Sequence, residues 1–360
     1  MVMVKGIYIH IPFCLNKCNY CDFLSFKSKD IDRKKYVEYL KKEIKLYPQY
    51  EYNSVYFGGG TPSLLEPKDI KEILDLLIIK DEAEVTIEVN PKTVDYEKFK
   101  GYKKAGINRV SIGIQSFDRE KLKVLGRMHN EEEGKKAYEE ARRAGFKNIS
   151  LDLMFSLPNQ KLSEVRSDLK ELFKLKPEHF SIYSLIWEEG TNFFEKLKRG
   201  EMKETDNDLE ADMYNEIIEA AKKEGYIHYE ISNFSLPGRE AIHNSSYWRN
   251  EEYLGIGLGA SGYCDGIRYK NQVKFKDYYD NIDNGEKPIL ESEIIDEEAK
   301  NIYKYILGLR LLEEGVLPEK KFIEICKKLE KIGLLEKKAE RYILTKQGIF
   351  LANDVFDEFV

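Results

Sequence analysis

The chain lacks any apolar run approaching the ~20 residues that a helix needs to cross a bilayer, so no membrane-spanning segment is expected. It also lacks an excess of charge of one sign: 58 Lys and Arg face 64 Asp and Glu, leaving a net charge of -6. That mild acidity gives no electrostatic footprint for nucleic acid, which normally needs a clustered basic face. Internal repeats and low-complexity segments are absent, which excludes solenoids and propellers. Cysteine is scarce and odd in number, five in 360 residues, and three of the five fall within eight positions. Such usage does not fit a disulfide framework; in a reducing compartment it points to metal or redox chemistry. Cys264 and Cys326 stand alone and read as ordinary buried thiols. Met1-Val2-Met3-Val4-Lys5 leads straight into a strand-like segment, with no cleavable signal pattern. A cytoplasmic protein is expected. What is present, 42% hydrophobic and 12% aromatic residues, suffices for one barrel-sized domain and a smaller one.

The first half alternates short β-rich runs with amphipathic stretches. The pattern predicts strands at Gly6–Ile11, Ser54–Phe57, Glu84–Val89, Arg109–Ile114, Ile149–Met154 and Phe180–Leu185. Helices are predicted between them at Arg33–Lys45, Pro67–Ile79, Tyr96–Lys104, Glu131–Ala144 and Leu162–Leu175. Alternation of this kind implies βαβ units and a parallel sheet. Six units are two short of a complete eight-fold barrel, so an α/β fold with an open (β/α)6 partial TIM barrel is expected over 1–186, with a flat doubly wound sheet as the alternative. Each predicted strand ends in a polar or glycine-rich element, and parallel α/β folds build their sites at that end. A less regular region follows over 187–292, with a helix at Asp206–Lys223 and a turn-rich stretch holding Tyr229, His243 and Trp248. Over 293–360 the predicted order is helix (Ile294–Leu312), helix (Pro318–Lys331), a short hairpin and a helix after Thr345. That order resembles a winged-helix module, expected to pack or to dock a partner.

Cys14-x3-Cys18-x2-Cys21 places three thiolates on one loop after the first predicted strand. Soft thiolates suit iron–sulfur clusters and zinc. Three of them on a cubane leave one iron open to a small chelating molecule, whereas closed electron-transfer clusters take four. Zinc, with His10 or a distant residue as fourth ligand, is the rival reading, although no second cysteine knuckle exists.

The loop resembles the CxxxCxxC signature of the radical S-adenosylmethionine (SAM) superfamily. Tyr8-Ile9-His10-Ile11-Pro12-Phe13-Cys14 and Cys18-Asn19-Tyr20-Cys21-Asp22-Phe23 are similar to the branch related to coproporphyrinogen dehydrogenase. The resemblance implies a [4Fe–4S] cluster on Cys14, Cys18 and Cys21, with SAM chelating the open iron. Gly58-Gly59-Gly60-Thr61-Pro62 looks like the family's methionine-binding turn, implicating Gly59, Gly60 and Thr61. Glu88, a costly carboxylate in an apolar strand, is assigned by resemblance to SAM recognition. Gln115, Arg127 and Asp152 follow in the same way, Arg127 offering a fork to a carboxylate and Asp152 suiting ribose hydroxyls, together with Tyr8, Tyr20 and, beside the adenine, Ile186.

Two family readings compete. One is the oxygen-independent coproporphyrinogen III dehydrogenase, an oxidative decarboxylase of haem synthesis. The other is the haem chaperone of the HemW type, which binds haem and passes it to acceptor proteins. The dehydrogenase pattern carries a further cysteine where this chain has Phe23, and a sizeable extension before its first strand where this chain has about five residues. His243-Asn244-Ser245-Ser246-Tyr247-Trp248 matches the HNxxYW motif of the chaperones. The chaperone reading is therefore preferred, with coproporphyrinogen oxidation absent and any SAM cleavage left open. His243 is then the expected axial haem ligand, with Tyr247 and Trp248 covering a porphyrin face. His10, His129, His179 and His228 read as structural or as supports of neighbouring site residues, and His10 alone stands close enough to the cysteine loop to matter to a cluster. The resemblance further implies an electron donor, a membrane-associated acceptor and a homodimer as partners to look for.

Overall fold

The computed structural model describes residues 4–27 and 29–360. The expectation for the leading residues rests partly on Met1–Met3, which lie outside the described residues. Six strands form the centre: β1 (Gly6–Ile11), β2 (Glu51–Gly59), β3 (Ile78–Val89), β4 (Arg109–Gln115), β5 (Ile149–Phe155) and β6 (His179–Ser184). Each pairs in parallel with the next. Parallel neighbours require crossovers, and the helices Asp30–Ile44, Pro67–Leu74, Tyr96–Ala105, Glu131–Arg143 and Leu162–Leu175 lie in the sequence between them. β1 and β6 do not pair with each other, so the parallel set stays open.

Residue alternation along these strands explains both the core and the site. Ile7, Ile9 and Ile11, then Val55 and Phe57, Val85, Ile87 and Val89, Val110, Ile112 and Ile114, and Leu151 and Leu153 are all buried and join one hydrophobic cluster. The intervening positions point to the opposite face. They read Tyr8 and His10, Tyr56, Thr86 and Glu88, Arg109 and Ser111, Ser150 and Asp152, His179 and Ser181. One face of the sheet thus supplies an apolar core and the other a polar interior.

The region 187–292, expected to be less regular, extends the same sheet on both edges. β7 (Ile227–Glu230) pairs antiparallel with β8 (Asn233–Ser235), which pairs antiparallel with β6. β9 (Tyr253–Ile256) joins β1 in parallel, followed by antiparallel β10 (Ser261–Cys264), β11 (Ile267–Asn271) and β12 (Ile289–Ile294). The order is β12-β11-β10-β9-β1-β2-β3-β4-β5-β6-β8-β7. These added strands span three to six residues and are broken by glycine turns, too short to show a period. Several helix ends also differ from expectation, among them the helix from Pro318, which begins only at Ile323. The helix from Pro67 stops at Leu74, and the β-branched Ile78 and Ile79 open β3 instead. The helix expected from Ile294 begins at Glu297, capped by Asp296, whose side chain accepts from Ala299 N at 2.8 Å.

Beyond residue 296 come the helices Glu297–Gly308 and Ile323–Lys331, a hairpin of Leu335–Lys338 with Arg341–Leu344, and the helices Lys346–Phe350 and Ala352–Asp357. Tyr305, Leu309, Cys326, Leu329, Val355 and Phe359 give this part its own hydrophobic cluster. Arg310 ties it to β7 through an ion pair of 3.0 Å with buried Glu230.

Glu43 fastens the β1 edge. Its buried carboxylate accepts from Gly257 N (2.8 Å), Asn271 Nδ2 (2.7 Å) and Tyr278 OH (2.5 Å). Burial pushes this carboxyl up to about 7, against the pull of those three donors. Glu43→Ala orphans three buried donors and should cost roughly 3 kcal/mol of stability. Because the folded-state value lies above the unfolded one, the group's contribution is full below the unfolded value of about 4.5 and falls as pH rises through about 7. The Tm deficit of the variant is therefore expected to shrink from pH 5 to pH 8; a deficit that grows with pH contradicts this.

Candidate functional site

The cysteine loop springs from β1. Phe13–Cys14 pairs in parallel with Phe26–Lys27, closing the loop at its base. Asn19 stitches the tip to the barrel: its backbone N–H donates to Leu125 O at 3.0 Å, its Nδ2 to Val124 O at 2.8 Å, and its carbonyl accepts from Phe193 N at 2.9 Å. The spacing of the cysteines gave no hint of this anchoring role, which depends on two distant helices, Arg119–Leu125 and Asn192–Lys198.

Cys14, Cys18 and Cys21 are half-buried free thiols. Thr61 Oγ1 donates to Cys14 Sγ and Arg127 Nη1 to Cys18 Sγ, each at 3.5 Å. Burial is the main cause that pushes Cys21 up to about 11, with the two other thiols adding to it. The donor set fits a cubane better than a single ion. Tetrahedral zinc with Zn–S near 2.3 Å would draw its sulfurs to roughly 3.8 Å of one another. Among the described residues, the group whose ligand atoms all lie within 4.8 Å is Glu252, Cys264 and Asp265, not the loop cysteines.

Below the loop lies a cavity of about 470 Å³. Twelve of the expected site residues line it: Cys14, Cys18, Cys21, Tyr20, Gly59, Gly60, Thr61, Glu88, Gln115, Arg127, Asp152 and Ile186. Gly59 has φ +112°, and a Cβ there would lie 2.5 Å from the His10 ring, so conformation and space both demand glycine. A Cβ on Gly60 would meet Phe13 O at 2.7 Å, where the turn passes against the cysteine loop. Glu88 accepts from Tyr56 OH (2.9 Å) and Gly59 N (3.1 Å). Burial pushes its carboxyl up to about 7, while those two donors oppose the rise. Asp152 accepts from Ser111 Oγ at 2.9 Å and is likewise raised by burial. Arg127 donates to Gly113 O at 2.7 Å. Gln115 ends β4 at φ 70°, in a register shift against β5, which is strained for a residue with a side chain. Ile186 stands 67% exposed at the rim.

Two expected residues lie off the cavity wall. Tyr8 is half-buried beside it, its hydroxyl 2.9 Å from His10 Nδ1 and its ring stacked on Tyr56 at 6.3 Å. His243, expected as the axial haem ligand, is fully buried at the other end of the barrel. Its Nδ1 is 2.8 Å from Ser54 Oγ and its Nε2 2.6 Å from Tyr247 OH. Both ring nitrogens are thus occupied, and burial, with Arg109 second, lowers the imidazole to about 3. Ser54 pairs with Gly6 at the start of β1, whereas the cysteines follow that strand's end. The helix Ile242–Trp248 therefore plugs the floor, with Glu84 accepting from Ile242 N (3.2 Å) and His243 N (3.1 Å). Tyr247 and Trp248 do not offer an open porphyrin platform either. Tyr247 packs on His243 and Tyr253, and the Arg310 guanidinium sits 4.3 Å over the Trp248 ring. Coordination of haem iron by His243 would need this plug to open. His10, His129, His179 and His228 are all hydrogen-bonded, three of them to backbone carbonyls, in keeping with structural roles.

Sequence reasoning missed Tyr56, Arg109, Ser111, Ser181 and Asn244 on the cavity wall. The signal that could have found the first four was their alternation with core residues.

A model of the radical SAM superfamily matches residues 8–172. Over 99% of the chain it is 39% identical to the haem chaperone HemW of Lactococcus lactis, covering 97% of that protein, and 35% identical to HemW of Bacillus subtilis, covering 99% of it. The chain belongs to the HemW family. HemW of Escherichia coli is 40% identical over 71% of this chain and 69% of its own length. Among solved structures, coproporphyrinogen III oxidase (HemN) from E. coli superimposes with a TM-score of 0.85 at 22% identity, over 99% of this chain and 90% of that one, a likeness of fold. HemW-family membership brings with it the radical SAM domain, so SAM and an iron–sulfur cluster are the cofactors of the family. Among the described residues, no helix is long and apolar enough to cross a membrane.

Proposed function

We propose that this HemW-family protein binds haem and hands it to haem-requiring acceptor proteins, on a scaffold that carries a [4Fe–4S] cluster and SAM. The observation that carries the reading is the identity to HemW chaperones along nearly the whole chain. Cys14, Cys18 and Cys21 would hold three irons, leaving the fourth to the amino and carboxylate groups of SAM. When bound, that pair supplies one-electron chemistry at the sulfonium. The chain's own residues would orient the cofactor. The Gly59–Thr61 turn would offer backbone polar groups to the methionyl end, Arg127 would meet its carboxylate, and Glu88 and Asp152 would accept from hydroxyls while Ile186 would cover the adenine. Tyr20 closes the side next to the loop.

Phe23 supports the chaperone over the decarboxylase. It stands where the dehydrogenase pattern has a fourth nearby cysteine, and it is 60% exposed at the cavity. The test is anaerobic reconstitution followed by haem loading and mixing with an apo-haem-protein acceptor. Transfer should be seen as a shift of the Soret band to that of the holo-acceptor. Decarboxylation of coproporphyrinogen III in the presence of SAM and reductant would overturn the reading.

A further inference from the structure

The floor of the cavity carries a cation without a hydrogen-bonded partner. Arg109 begins β4, is 2% exposed and lines the cavity. Its nearest acid, Glu84, lies 3.7 Å from Nε, beyond hydrogen-bond length. The Glu84 oxygens already accept from Ile242 N and His243 N, which fixes them to the plug helix. The Arg109 Nε is buried with no acceptor. Among the described residues, no hydrogen bond from the guanidinium is recorded either, although guanidinium donors are normally saturated when buried. A buried guanidinium with open donors facing a cavity is costly unless something fills it.

Asn244 lies on the same cavity wall, half-buried and with no side-chain hydrogen bond among the described residues. The HNxxYW segment therefore turns its asparagine, not its histidine, toward the cavity. Of the acids on this wall, Glu88 is bonded by Tyr56 and Gly59 and Asp152 by Ser111 and Ser150. Both feel the Arg109 charge, but neither comes within ion-pair distance of its fork.

We infer that Arg109 and Asn244 form a carboxylate-binding subsite at the floor of the cavity, opposite the cysteine loop. A guanidinium takes a carboxylate through two parallel N–H bonds, and an amide can add a third donor. The inference rests on the haem-chaperone reading only for the identity of one carboxylate source, a propionate arm of the porphyrin. The other source is a free small carboxylic acid.

Three probes on the intact chain test it. Haem, haem dimethyl ester and succinate are titrated into wild-type protein and into Asn244→Leu, which removes the amide donor without disturbing the Arg109–Glu84 pair. If a propionate is the occupant, haem binds at least about tenfold more tightly than its ester, and Asn244→Leu lowers that ratio several-fold while leaving ester binding unchanged. If a free acid is the occupant, succinate binds wild-type protein and is lost in Asn244→Leu, whatever haem does. Arg109→Lys, which keeps the charge but not the fork, should weaken the same carboxylate by a similar factor. Equal binding of haem and ester together with no succinate binding overturns the subsite and leaves the chaperone reading standing. Absence of haem binding with succinate bound overturns the chaperone reading and leaves the subsite.

Discussion

Cys18→Ser is expected to abolish iron–sulfur assembly while leaving the fold in place. An alcohol is a hard, weakly acidic donor that does not replace thiolate on iron, and only three cysteines are available at the loop. The fold should survive because the loop is held by Asn19 rather than by metal. Three hydrogen bonds between 2.8 and 3.0 Å tie that residue to Leu125, Val124 and Phe193. Loss of the cluster removes the iron that would chelate SAM, so SAM affinity should fall about a hundredfold, some 2.7 kcal/mol. Iron and acid-labile sulfide analysis, far-UV circular dichroism and equilibrium dialysis with SAM read the three effects. Full iron retention in the variant would sink the cluster assignment, and unfolding would sink the claim that Asn19 carries the loop.

Much of this was legible because the six parallel strands are long and their apolar residues recur every second position. Gly6–Ile11 and Leu162–Leu175 coincide with the observed elements, and the other barrel elements start or end within a few residues of their expected bounds. Site residues at strand ends came out together for the same reason: parallel strands deliver their C-terminal residues to one rim. Legibility failed where position depends on distant chain. Of the short strands from 227 to 294, β8 gains its bonds from β6 and β9 from β1, the others pairing in turn with these, and nothing local marks Asn233 or Gly255 as a joining position. His243 is the instructive case. Its motif was readable, but a lone imidazole near aromatics looks the same whether it faces a ligand or a core. The difference lies in Ser54, 189 positions away, which occupies Nδ1.

Removing that imidazole should act on SAM before it acts on haem. The His243 ring stacks on Tyr56 at 5.1 Å and 20°, and the Tyr56 hydroxyl holds Glu88 at 2.9 Å. His243→Ala therefore opens a hole beneath Tyr56 and strands the hydroxyls of Ser54 and Tyr247. Cavity and orphaned partners together should cost roughly 3 kcal/mol of stability. With Tyr56 free to sink, Glu88 loses its aim, and SAM affinity in haem-free, cluster-loaded protein should fall about tenfold, or 1.4 kcal/mol. Tyr56→Phe, which keeps the stack and deletes only the hydroxyl, should reproduce the SAM defect at little cost in Tm. Tyr247→Phe, which leaves the imidazole packed on Tyr56, should spare SAM binding. A His243 that serves haem alone predicts the reverse pattern: His243→Ala would lose haem while binding SAM with wild-type affinity, and Tyr56→Phe would leave haem retention untouched. Calorimetric titration of the three variants with SAM, before any haem is added, separates the two arrangements.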